Sequence, residues 1–443
     1  MKTLNSLRKD ALDIFHAGLH AVDPDTCMKK HISLPEKNLL QTGERCYDLS
    51  QFKNIYIIGF GKASGFMALT IEKLFPERIR TGIVNVRYGY KAPCKIINIY
   101  EAGHPVPDHA GRKGTDEIVR LLQHTEEDDL VFCLISGGGS ALFELPCDGI
   151  TLKEIQDITE MFLKCGARID EMNTVRKHIS QVKGGQLAKI CKGKIISFIL
   201  SDVTNDAPGT IASGPTSPDD STFLDCKKIL QKYELFQKIP SSIREHIQKG
   251  LDGKVQETPK ATDPVFRKVH NVIIGNNRTA LYASYKKAGE LGYNPFILSS
   301  CITGEAKEVA KVFGAIAKEI CSSGNPAKRP ACIIAGGETT VTVKGNGLGG
   351  RSQEFTLSAA MEIDGLENTV ILCAGTDGTD GNTEAAGAIA DSFTITSAKQ
   401  GHMNPEAYLT DNNSYSFFRL TDNLIITGPT KTNVMDIILL LVD

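Results

Sequence analysis

The sequence predicts two α/β domains, and three observations carry that prediction. At 443 residues the chain exceeds what one hydrophobic core usually serves. Short apolar runs such as Leu130 to Ile135 alternate with stretches of helical periodicity, the pattern of a parallel sheet covered by helices. After a polar, proline-punctuated region at 216–265, read as the passage between domains, the alternation restarts. The expected partition is a Rossmann-like three-layer domain over 1–265, carrying an N-terminal helix, and a second three-layer α/β domain with a mixed sheet over 266–443.

Each element follows from its own pattern. Leu4, Leu7, Ala11, Ile14, Phe15 and Gly18 keep helical spacing, and Asp10 and Asp13 within them argue against a transit peptide. Asn54 to Phe60 reads as a strand entering a glycine turn, and Ala63, Phe66, Met67, Ile71 and Leu74 continue it as a helix. Strands follow at Gly82 to Val86, Lys95 to Tyr100, Leu130 to Ile135 and Lys194 to Leu200, with a helix at 111–124. In the second half Asn271 to Gly275, Pro295 to Ser299, Ala331 to Ala335 and Thr369 to Ala374 are strands. Thr339 to Lys344 is expected as a hairpin partner.

Composition narrows the function. The chain has 50 Lys and Arg against 52 Asp and Glu, a net charge of −2, which leaves no basic footprint for nucleic acid. Its 12 cysteines form no CxxC pair and no zinc spacing, as expected of reduced thiols in a cytoplasmic protein. No apolar run approaches the roughly 20 residues of a membrane span. Small-molecule substrates and a monomer or homodimer are expected.

The chemistry concentrates at glycine-flanked strand ends, where open α/β sheets bind ligands. Ser136, Gly137, Gly138, Gly139 and Ser140 follow a buried strand, and consecutive glycines let backbone amides approach an anion. Lys62 stands in Gly59-Phe60-Gly61-Lys62-Ala63-Ser64-Gly65, at a turn before a helix; its plain alternative is a solvated turn lysine. That turn departs from a dinucleotide fingerprint in its third glycine, and the next strand end lacks a ribose carboxylate. No P-loop motif is present. Asp202 and Asp206, four apart at a strand end, suit a metal or a base, or else simply bond their own turn. In Asn173 to Gly185, Arg176 and Lys183 share a face while Lys177 and His178 turn away. His104 lies at a strand end before a proline-stiffened loop. Four glycines in the six positions 345–350 deliver Arg351 to a helix N-terminus, where amides and guanidinium suit an anion. Asp377, Asp380 and Asp391 add carboxylates near another strand end.

Taken together, IIGFGKAS at 57–64, EAGHPVPD at 101–108, LISGGGSAL at 134–142, NTVRKHIS at 173–180, KGGQLA at 183–188, LSDV at 200–203, IASGPTSPD at 211–219, GGETTVTVKGNGLGGRSQE at 336–354, AGTDGTDG at 374–381, NNSYSFF at 412–418 and TGPTKTNVMD at 427–436 closely resemble the class II glycerate kinases, whose C-terminal half is called the MOFRL domain. The resemblance implies two α/β domains flanking an interdomain cleft and the use of ATP and Mg²⁺ to phosphorylate D-glycerate to 2-phosphoglycerate. It implies catalytic roles for Lys62 and Arg351, facing each other across that cleft; Asp202 or Asp377, acids at strand ends, is expected to orient the hydroxyl. Nucleotide phosphates would lie on Ser136 to Ser140, substrate on Lys62, His104, Arg176 and Arg351, and metal on Asp202 and Asp206. Asn205-Asp206-Ala207 keeps one acid where the family has a glycine and two aspartates. Ser352 replaces a common Asn, and Lys431 a usual glycine. The alternatives are a hydroxypyruvate reductase-type oxidoreductase and a non-catalytic protein that binds hydroxy acid and nucleotide.

Overall fold

The structure is a computed structural model that describes residues 2–36 and 38–443. Helices α1 (Leu4–Ala21) and α2 (Pro24–His31) open the chain, which divides into two compact units. The N-terminal unit comprises Cys27–Ser201 and Asp206–Ile274; the C-terminal unit comprises the chain up to Thr26, Asp202–Asn205 and Gly275–Asp443.

In the N-terminal unit a small antiparallel sheet, β1 (Ser33–Glu36), β2 (Leu39–Thr42) and β3 (Arg45–Asp48), precedes the main one. The main elements run β4 (Ile55–Phe60), α3 (Ser64–Leu74), β5 (Ile79–Arg87), β6 (Ile97–Ala102), α4 (His109–Gln123), β7 (Leu130–Ile135) and α5 (Gly139–Leu142). They continue through α6 (Leu152–Lys164), α7 (Ile169–His178), α8 (Gln186–Ile190), β8 (Lys194–Leu200), α9 (Phe223–Lys232), α10 (Ser241–Leu251) and β9 (Val269–Gly275). The sheet order is β6-β5-β4-β7-β8-β9, and β6 through β8 pair in parallel. In chain order this is 3-2-1-4-5-6, the doubly wound order whose direction reverses between β4 and β7. All six residues of β7 are buried, as an apolar run covered on both faces requires. A side chain at Gly59 would stand 2.8 Å from the Leu134 carbonyl, so glycine lets β4 and β7 converge just before their loops.

The C-terminal unit contains α11 (Asn277–Glu290), β10 (Asn294–Ile302), α12 (Ala306–Ser323), β11 (Ala331–Gly337), α13 (Arg351–Glu362), β12 (Thr369–Gly375) and β13 (Gly387–Asp391). After them come α14 (Thr394–Gln400), α15 (Pro405–Thr410), α16 (Ser414–Leu420), β14 (Leu424–Ile425) and β15 (Asp436–Val442). Its sheet order is β10-β11-β15-β12-β13-β14, with β10 and β11 parallel and the remaining neighbours antiparallel. One face buries Ile333, Ile371, Ile438 and Leu440 with Phe313 of α12 and Phe355 of α13. The two sheets bear out the expected class, one parallel and one mixed.

The observed boundaries differ from the expected partition. Helix α1 packs against α11, β12 and β15 of the C-terminal unit, and Arg8 pairs with Asp391 at 2.8 Å. Strand β9 is the sixth strand of the first sheet and not the start of the second. Residues 216–265 are no linker: α9 and α10 bury Phe223, Leu230, Ile243 and Ile247 with Ile155, Phe162 and Val175. Thr339 to Lys344 forms no strand; an isolated bridge from Thr340 to Glu305 is its ladder contact, and β11 pairs with β15 in its place. Among the described residues no helix is long and apolar enough to cross a membrane.

Candidate active site

In the N-terminal unit the loops after β4 and β7 meet at the point where strand order reverses. Lys62 donates its amide to the Gly137 carbonyl at 2.8 Å, and its side chain is buried. Gly61, at φ +130°, passes so close to Ser136 that any side chain there would collide. Ser136 is fully buried; its hydroxyl accepts from the Ala63 amide at 3.0 Å and pairs with the Ser64 hydroxyl at 3.1 Å. Ser136 therefore ties the two loops together, and its hydroxyl is not presented to a ligand.

The glycines it supports are differently placed. Gly138 lies at φ +82°, and a side chain there would stand 2.9 Å from the His104 ring and 3.5 Å from Lys62 Cγ. Lys62, Gly138 and His104 thus lie close together. Among the described residues the Gly137 and Gly138 amides donate to no protein acceptor, the state of a backbone cradle for an anion. His104 is positioned by its loop, since Asp108 accepts from the Gly103 and Gly111 amides at 2.9 and 2.8 Å.

Ser140 continues the wall. Its hydroxyl bonds Ser213 Oγ at 2.8 Å, and Ser213 donates to Asn173 Oδ1 at 3.3 Å, linking the loop to α7. Arg176 stands one turn further along that face of α7. Burial lowers the pKa of its guanidinium, and the Glu144 carboxylate opposes that. The fully buried Lys183 pairs with the same carboxylate, and burial lowers its pKa as well. Two cations sharing one buried acid leave a positive excess. Lys177 and His178 turn away to Asp219 and Glu257, at 3.2 and 3.0 Å.

In the C-terminal unit Arg351 is the first residue of α13, as expected. Asp436 holds it bidentately, with Nε at 2.6 Å and one terminal nitrogen at 3.0 Å, and Glu338 accepts from the other at 2.6 Å. Burial disfavours the charged guanidinium, but Asp436 and Glu338 more than offset it and raise its pKa above the ordinary value. Two of its five N–H bonds remain for a ligand. The helix amides are not available: Asp380 accepts from Ser352 and Gln353 at 3.1 and 2.8 Å. A side chain on Gly350 would collide with Asp380, which accounts for the glycine before the helix. Asp436, Glu338 and Glu144 were not singled out from the sequence. Asp436 and Glu338 do close and open two quoted motifs, but a carboxylate 85 residues from its arginine leaves no spacing signal.

Asp377 accepts from the Thr379 amide at 3.2 Å and so shapes its own turn, with its carboxylate half-buried. Asp202 and Asp206 are both half-buried on the loop after β8, Asp202 grouped with the C-terminal unit and Asp206 with the N-terminal one. Among the described residues no group of three or more His, Cys, Asp or Glu is arranged to hold a metal ion. Magnesium carried on a nucleotide needs only one or two protein carboxylates, and these hard oxygen donors fit that demand. Lys431 occupies a left-handed backbone position, φ +69°, which explains why glycine is usual there.

Comparison with known proteins finds relatives over nearly the whole chain. A family model described as Domain of unknown function (DUF4147) matches residues 10–248, and one described as the MOFRL family matches 331–436. The chain is 41% identical to a glycerate 2-kinase of Pyrococcus horikoshii over 98% of this chain and 97% of that one. It is 41% identical to a D-glycerate 2-kinase of Thermotoga maritima, covering 98% of each. The crystal structure of a Thermotoga maritima glycerate kinase superposes with a TM-score of 0.87 at 40% identity, over 99% of this chain and 100% of that one. With both family models and full-length relatives matched, the chain belongs to the class II glycerate kinase family.

Proposed function

We propose that this protein transfers the γ-phosphoryl group of ATP to the C2 hydroxyl of D-glycerate, giving 2-phosphoglycerate and ADP. The observation that carries the reading is the lysine turn set against an unfilled amide cradle at the strand-order reversal, in a chain 41% identical over its length to glycerate 2-kinases. Phosphoryl transfer asks for backbone donors on the phosphates, cations on the transferring group and an oriented hydroxyl. The amides of Gly137 and Gly138, with Ser140, would bind the nucleotide phosphates. Lys62 would neutralise charge growing on the γ-phosphoryl, and His104 beside it would hydrogen-bond substrate. Arg176 and the two remaining N–H groups of Arg351 suit the acceptor's carboxylate and the transferring oxygens. The hydroxyl oxygen forms the new P–O bond, the bond to the β-phosphate oxygen breaks, and the hydroxyl proton passes to Asp377 or Asp202. Asp202 and Asp206 would hold Mg²⁺, which would supply positive charge against the nucleotide phosphates. With twelve cysteines and no disulfide among the described residues, the protein suits the reducing cytoplasm.

The test is direct. Purified protein incubated with ATP, Mg²⁺ and D-glycerate is expected to yield 2-phosphoglycerate, identified by ³¹P NMR. No phosphoglycerate, or NADH oxidation by hydroxypyruvate without ATP consumption, would contradict the reading.

A further inference from the structure

The end of the first sheet remote from the glycine loop carries charge that phosphoryl transfer does not use. Lys194 is the first residue of β8 and pairs with Leu130, the first of β7. The seven residues of β8, at about 3.3 Å each, put about 20 Å between Lys194 and the loop at the other end. Beside Lys194 lies a cavity of about 270 Å³ lined by Arg45, Tyr47, Lys194, Arg267, Lys268 and His270. Three separate segments supply them: the β2–β3 hairpin, the start of β8, and the single-turn helix Pro264–Lys268 running into β9.

Local packing fixes the walls. Arg45 and Tyr47 alternate along β3 and so share one face. The Tyr47 hydroxyl and His270 Nδ1 are hydrogen-bonded at 2.8 Å. The Lys194 ammonium lies 5.5 Å from the Tyr47 ring centre and 5.8 Å from that of Phe52. Lys268 donates to the main-chain carbonyls of Cys191 and Lys192. No carboxylate lines the cavity, and among the described residues Arg45, Lys194, Arg267 and Lys268 form no ion pair. In a chain with more acids than bases, four cations and a histidine around one hollow is a local reversal of charge. Their mutual repulsion is relieved by an anion, and guanidinium forks match phosphate oxygens. The volume, about nine waters' worth, admits inorganic phosphate or a short-chain phosphate ester.

We propose that this pocket is a second anion site, separate from the phosphoryl-transfer site, and that it takes a small phosphate-bearing anion between Arg45, Lys194 and Arg267. Such an anion would clamp the hairpin, β8 and the approach to β9 together. The experiment is calorimetric titration of the full chain with inorganic phosphate while a non-hydrolysable ATP analogue saturates the nucleotide site. The wild type is expected to retain phosphate binding under those conditions. Arg267→Gln should bind about tenfold more weakly, as the loss of one charge-assisted contact implies, with kcat unchanged. Arg267 is exposed and makes no side-chain bond that folding depends on, and Lys194→Gln provides a second variant. Absence of phosphate binding, its abolition by the ATP analogue, or equal affinity in wild type and both variants would overturn the proposal.

Discussion

Asp380 carries the clearest pH signature in the molecule. Burial, then the charge of Asp436, push its carboxyl up to about 7, against the pull of the Gln353 and Ser352 amides and of Arg351. In the unfolded chain an aspartate titrates near 3.9, about three units lower. A pKa raised by folding means that the native state holds its proton more tightly, so this stabilising contribution is full below about pH 4 and is lost as pH rises to about 7. The unfolding midpoint of the wild type should therefore fall relative to Asp380→Asn between pH 4 and pH 7, followed by thermal melts of both proteins. A constant offset across that range would contradict the assignment. Legibility divides in the same way at this scale. Glycines 345–350 announced a constrained approach to Arg351 because backbone freedom is written in residue type. The acids that hold the arginine were silent, since Asp436 and Glu338 reach it only through the pairing of β11 with β15.

Among the elements, periodicity told strand from helix but not which sheet an element joins. Strands β4, β7, β8, β11 and β12 were legible as apolar runs ending in glycine or serine. β15, although equally apolar, was not read as the central strand of its sheet. Helix α1 was legible as a helix and misplaced, because an amphipathic face states only that it needs cover. Its cover is specific: a side chain at Gly18 would meet Ser284 Oγ at 2.5 Å and the Ala280 carbonyl at 3.1 Å of α11. Backbone cannot retreat as a flexible side chain can, so Gly18→Val should destabilise the protein by about 1–3 kcal/mol, the usual cost of overpacking. Urea unfolding measures it, and an unchanged midpoint would show that α1 does not dock on α11.

For the whole molecule, charge and composition excluded more than they identified. A near-neutral chain has no field to draw in an anionic substrate, so cations must be supplied locally, and the two places proposed for them lie in the N-terminal unit. One, with Lys62, Gly138 and His104, lies where the strand order reverses, and its residues were legible because each sits in a turn that follows a strand. The other, around Lys194 and Arg267, went unread, because its residues come from three segments with no shared pattern. The central claim is that the Lys62 turn performs phosphoryl transfer. The measurement that tests it most directly is kcat for glycerate phosphorylation by Lys62→Ala, with its melting temperature as the control for folding. The account predicts a loss of about a hundredfold or more, the scale of removing one preorganised charge from a transition state, with melting unchanged within a few degrees. Turnover near that of the wild type in a folded Lys62→Ala protein would contradict it.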